Sequence, residues 1–127
     1  MADDIGNPAF AAGRSEITVQ KDVVDGVIVL AVFDVVDGAT APELAAAVGE
    51  ALASSPTALV IDLTGVTFLA SVGMTILMRA KQDAGAEIGF AVVAEGSATR
   101  RPLTLVGLDS ELSLCLTRDE ALRSVAG

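Results

Sequence analysis

Apolar residues along this chain change rhythm at regular intervals, and each change marks an element. Ile17 and Val19 alternate with polar neighbours, Asp25-Gly26 follows, and Val27-Ile28-Val29-Leu30-Ala31-Val32-Phe33 is unbroken. Alternation, a turn dipeptide and a Val-rich run predict a hairpin that leads into a central strand. Thr40-Ala41-Pro42-Glu43 then combines a hydroxyl cap, an early proline and a returning glutamate, the signature of a helix start, and Leu44, Val48 and Leu52 supply its apolar stripe. Pro56 ends that helix, and Ala58-Leu59-Val60-Ile61-Asp62-Leu63 is apolar enough to be a strand covered on both faces.

From Ser71 to Ala84 the spacing turns helical, with Gly73, Ile76, Leu77, Ala80 and Ala84 on one side and Gly85 as the stop. Ile88–Val93 reads as a strand, and Ser97–Val106 as a helix whose start Pro102 delays before Gly107-Leu108 closes it. Leu112, Leu114 and Leu116 alternate as in a strand, and Thr117-Arg118-Asp119-Glu120 repeats the capping signature before a last helix. The order is ββαβαβαβα. It predicts an α/β fold, a mixed sheet of about five strands with parallel central strands and about four helices packed against it. Residues 1–14 carry no period and read as a flexible tail, leaving 15–127 as one domain.

Composition narrows what such a domain does. The 127 residues are 52% hydrophobic but only 3% aromatic, so the core is built from small aliphatic side chains. No apolar run is long enough to cross a bilayer and the start lacks signal-peptide character, so a cytoplasmic protein without membrane insertion is expected. With 8 Lys and Arg against 17 Asp and Glu, the net charge of −9 repels a phosphate backbone and argues against direct nucleic-acid binding. The absence of histidine removes the commonest general base and metal ligand. No Gly-rich phosphate loop or metal-ligand spacing is present, so neither an enzyme nor a cofactor or metal is expected. The single cysteine, Cys115, sits among alternating leucines and reads as a packed apolar side chain.

Two segments then stand out, each joining a strand to a helix: Asp37-Gly38-Ala39-Thr40 and Phe68-Leu69-Ala70-Ser71-Val72-Gly73. If their strands are parallel neighbours, both segments emerge at the same end of the sheet, where α/β proteins place their sites. Ser71 would sit where the first N–H groups of a helix face outward, a place that accommodates an added phosphate. Other candidates have plainer readings. Thr40 reads as a local cap. Met74 and Met78 suit either an exposed rim or the core edge, and Arg100 and Arg101 either a phosphate grip or a solvated patch.

Asp37-Gly38-Ala39-Thr40-Ala41 and Ala70-Ser71-Val72-Gly73-Met74, separated by one helix and one strand and followed by Gly107-Leu108-Asp109, resemble the signature of the STAS domains, and among them the bacterial anti-sigma factor antagonists. That resemblance implies binding to an anti-sigma factor that is itself a serine kinase, release of a sigma factor for transcription, and phosphorylation at the position of Ser71. It also implies a partner surface of Asp37, Gly38, Thr40, Ala70, Ser71, Val72, Gly73 and Met74. The chain departs from the family pattern in three places: Ala70 stands for an aspartate, Val72 for a second hydroxyl residue, and Asp34-Val35-Val36 for the common Gly-Glu-Leu. An alternative is therefore a STAS subunit of a transport or sensory assembly that docks without phosphorylation. The sequence leaves the oligomeric state open.

Overall fold

The computed structural model describes residues 17–126. The expected tail, 1–14, lies outside them. The described elements are β1 (Thr18–Val24), β2 (Val27–Val36), α1 (Ala41–Ala53), β3 (Ala58–Leu69), α2 (Ser71–Ala84), β4 (Gly89–Val93), α3 (Arg100–Leu105), β5 (Leu114–Cys115) and α4 (Arg118–Ala126). The five strands form one sheet in sequence order, β1-β2-β3-β4-β5. β1 runs antiparallel to β2, and β2, β3, β4 and β5 are mutually parallel. The expected mixed sheet with parallel central strands is what the chain adopts.

Each local prediction has a physical counterpart. Asp25 and Gly26 both take positive φ, 52° and 83°, the pair of left-handed conformations that a tight hairpin needs and that glycine adopts freely. β1 is an edge strand, and its side chains are mostly exposed. β3 lies between β2 and β4, which explains why Ala58 to Leu63 are buried in unbroken succession. On one face of the sheet Ile28, Leu30, Leu59, Ile61 and Val92 pack against Leu44 and Val48 of α1, Leu77 and Ala80 of α2, and Leu103 of α3. On the other, Val27, Val29, Ala58, Val60 and Val93 are covered by Ala121, Leu122 and Val125 of α4.

Three expectations are corrected. β2 and β3 run on past Phe33 and Leu63, to Val36 and Leu69, so Phe68 and Leu69 belong to a strand rather than a loop. The extension is irregular: the register shifts between Ala31 and Phe33 and again between Asp34 and Val35, so β3 carries two bulges opposite β2. The bulges turn the apolar positions Val66 and Leu69 to the core face and leave Phe68 outside, 53% exposed.

The second correction concerns Leu112, Leu114 and Leu116, whose alternation condenses to the two-residue strand Leu114–Cys115. β4 offers partners only at Val92 and Val93, and Ser113 turns the chain with φ of 54°. Leu112 is instead buried in the preceding turn and Leu116 is exposed. Third, α3 is shorter than the Ser97–Val106 expected, beginning at Arg100. Its end behaves as read: the Leu108 N–H returns to the Leu103 carbonyl, 2.9 Å away. At the last helix the Glu120 N–H donates to Thr117 Oγ1 at 3.1 Å, the threonine cap as predicted, while Glu120 Oε1 reaches one residue further back, to the Leu116 N–H at 2.7 Å.

Leu77 is fully buried where α2 meets the sheet. Leu77→Ala should cost about 2–5 kcal/mol of stability, read from the shift of the urea unfolding midpoint at unchanged slope.

Candidate functional site

Because β2 and β3 are parallel and paired through Val36 and Leu69, the turns that follow them leave the sheet side by side. One hydrogen bond joins the two exits directly: the Ala70 N–H donates to the Val36 carbonyl at 2.9 Å. Gly73 makes the closeness permanent. A Cβ there would lie 2.7 Å from both Leu69 Cδ1 and Val36 Cγ1, so any larger residue would force those side chains aside to keep the first turn of α2 on the strand ends.

The first turn is built on Asp37 and Thr40. Asp37 Oδ1 accepts the N–H groups of Ala39 and Thr40 at 3.0 and 3.1 Å. Thr40, 2% exposed, accepts the Asp37 N–H at 3.0 Å and donates its hydroxyl to the Val35 carbonyl at 2.8 Å. The capping box read from Thr40 and Glu43 is therefore not made. Thr40 already has helical torsions, φ −97° and ψ −15°, and its side chain makes no cap bond to α1. Its hydroxyl points back to the end of β2, and the carboxylate of Asp37 does the local capping.

At the second turn the helix opens at Ser71, where the helical spacing begins. Ala70 occupies the N-cap, extended at φ −81° and ψ 166°, and Ser71 is the first residue of α2 rather than its cap. An alanine cap offers no side-chain acceptor, and among the described residues no side chain caps the leading N–H groups of α2. Ser71 is exposed, and among the described residues its hydroxyl has no hydrogen-bond partner, while its carbonyl accepts from Thr75 Oγ1 at 3.2 Å. Val72, 38% exposed, stands beside it. Gly38 is exposed, and Gly73 is buried for the reason given. Met74 and Met78 are half-buried against the core, so the core-edge reading of both holds.

The remaining candidates separate from this corner. Arg100 uses its Nε on the Ala94 carbonyl at 2.8 Å, a clamp on the end of β4 rather than a free anion grip, and Arg101 is exposed. Cys115 is buried, its thiol directed at the Ser113 carbonyl 3.5 Å away, and that burial pushes the thiol above its usual range. Among the described residues no three His, Cys, Asp or Glu side chains gather as metal ligands would.

Sequence reasoning missed two features. The exposed aromatic Phe68 lies on the strand that enters the Ser71 turn; the Val66 to Leu69 spacing would have marked it had the bulges been anticipated. The other is Asp62, buried on β3, which binds Arg118 through Oδ2 at 3.1 Å. A lone carboxylate in an apolar strand was its signal.

Residues 18–121 match the STAS domain family. The chain belongs to that family. It is 47% identical over 111 residues to the anti-sigma-F factor antagonist RsfB of Mycobacterium tuberculosis, covering 87% of this chain and 91% of that protein. It is 48% identical to an anti-sigma factor antagonist from Mycobacterium paratuberculosis whose crystal structure superposes with a TM-score of 0.86, covering 89% of this chain and 97% of that one. Unphosphorylated SpoIIAA, another anti-sigma factor antagonist, shares the fold at 18% identity, with a TM-score of 0.70 over 87% of this chain and 97% of its own. The resemblance drawn from the two short motifs is thus borne out over nearly all of the described STAS domain.

Thr40→Val keeps the shape of the side chain but strands the Val35 carbonyl and the Asp37 N–H. It should cost about 1–3 kcal/mol in urea unfolding, although Thr40 is in a turn.

Proposed function

We propose that this chain is an anti-sigma factor antagonist: it docks on an anti-sigma factor through the paired turns Asp37–Thr40 and Ala70–Met74 and so frees a sigma factor for transcription. The reading extends to this chain what the names of its relatives state of them. It places the protein in the cytoplasm as a regulatory binding module rather than an enzyme. Among the described residues no helix is long and apolar enough to cross a membrane, which agrees with that placement.

The observation that carries the proposal is the setting of Ser71, an exposed hydroxyl on the first residue of α2, beside a second turn tied to it through Val36 and Ala70. A serine-kinase-like anti-sigma factor is the partner this setting suits. The hydroxyl is accessible to a phosphoryl donor, and the resulting phosphate would lie at the positive end of a helix whose N–H groups no side chain has claimed. Phosphorylation then costs the fold little while changing the surface greatly. It adds about −1.5 to −2 charges to a chain whose net charge is already −9. Like charge forced into an interface costs several kcal/mol, and each 1.4 kcal/mol is about tenfold in affinity, so the modified protein lets its partner go.

Ala70 and the exposed Val72 favour a second reading, docking that no phosphate controls, as in a STAS subunit of a transport or sensory assembly. Calorimetry against the cognate anti-sigma factor separates the two. Ser71→Glu should weaken binding by about tenfold or more and Ser71→Ala should leave it within about threefold. Incubation with that factor and ATP should add one phosphate at Ser71 by intact mass and site mapping. Equal affinities for both variants, with no phosphate gained, would establish constitutive docking instead.

A further inference from the structure

We propose that residues 1–16 fold back over an apolar ledge formed by Phe33, Val35 and Phe68, with Phe10 as the anchor, and so cover the sheet beside the Ser71 turn. The proposal goes beyond the function suggested above, and its test needs no partner protein.

The ledge lies on the α4 side of the sheet, past the end of α4. Val27, Val29, Ala58, Val60, Ala91 and Val93 pack with Ala121, Leu122 and Val125. The helix begins at Arg118, whose guanidinium holds Asp22 and Asp62. Asp62 stands opposite Ala31 in the ladder, and the next rows toward the Ser71 turn are Phe33 opposite Gly65 and Val35 opposite Phe68. Val32 and Val36 belong to the core on the α1 and α2 side, so by alternation Phe33 and Val35 face the α4 side. Phe68 shares that side, opposite Val35 and next to the core residue Leu69. The Phe33 ring lies against Gly65, where a Cβ would fall 2.8 Å from Phe33 Cε2. Phe33 and Val35 are half-buried and Phe68 is largely exposed. Neither apolar cluster of the domain includes any of the three. Two aromatic rings and a valine thus extend the apolar sheet beyond its helical cover, and the last of them precedes Ser71 by three positions.

The chain itself delivers an occupant. β1 is antiparallel to β2, and its first residue, Thr18, stands opposite Phe33. Everything before Ile17 therefore enters the fold at the margin of the ledge. Phe68 lies two strands over from β1, about 10 Å across the sheet at roughly 4.8 Å per strand. Phe10 precedes Thr18 by eight positions, a reach of up to about 26 Å when extended, so it arrives with slack. Tethering holds it there at an effective concentration of about millimolar, an advantage that a second copy or another protein lacks. The aromatic inventory points the same way. The chain has 4 Phe, of which Phe90 is buried in the core. The others are Phe33 and Phe68 on the ledge and Phe10 in this segment, flanked by Ile5 and Pro8. Seating Phe10 between the two rings gathers them into one cluster, which buries the area that each leaves in water.

Nuclear magnetic resonance of the full chain with isotope-labelled phenylalanine tests this. Overhauser contacts from the Phe10 ring to the rings of Phe33 and Phe68 are expected. Phe10→Ala, a change outside the sheet and its helices, should shift the amide resonances of Val35, Gly65 and Phe68 while those of Val60 and Val93, under α4, stay in place. A sample mixing labelled and unlabelled chains should show no such contacts between molecules. Absence of the Phe10 contacts, or ledge amides unmoved in F10A, would overturn the proposal. So would contacts that run between molecules, which would make a second copy the occupant.

Discussion

The parallel pairing of β2 with β3 is the constraint on which the rest depends. Parallel neighbours must be joined by a crossover, here α1, and both then end at the same edge of the sheet. The candidate site is a consequence of those two strand ends. The Val36 carbonyl and the Ala70 N–H close the distance between them, and Gly73 lets a helix begin directly on top. The corner is preformed by backbone bonds and close packing.

Around that corner the side chains divide their labour. Asp37 and Thr40 spend their polar atoms inward, on the backbone of their own turn, which leaves its shape rigid and its outer surface to Gly38 and Ala39. Ser71 does the reverse, with its carbonyl in the helix ladder and its hydroxyl in solvent. Phe68 and Val72 add apolar surface on either side of it. A tightly bonded turn, an exposed hydroxyl and exposed apolar side chains suit recognition by another protein better than chemistry on a small molecule.

The frame of this fold was legible because its elements announce themselves locally. Asp25-Gly26 allowed only a tight turn, the Val-rich β2 and the unbroken Ala58–Leu63 demanded burial, and Leu77 and Ala80 kept helical spacing. Ser71 was legible for a related reason, a serine between a buried strand and a helical period. What escaped depended on partners far away in sequence. The bulges in β3 exist because β2 and β3 carry unequal numbers of residues between shared ends, 10 against 12. β5 is short because β4 has only two residues to offer it, a fact that the alternating leucines cannot express.

The sequential strand order has a bearing on how the protein comes into being. Each strand pairs with the one made just before it, so the sheet can grow by accretion as the polypeptide leaves the ribosome. Arg118 is made after all five strands, yet it binds the first and third of them, across 96 and 56 positions of sequence. The tie from α4 to β1 and β3 is therefore among the last contacts the growing chain can make.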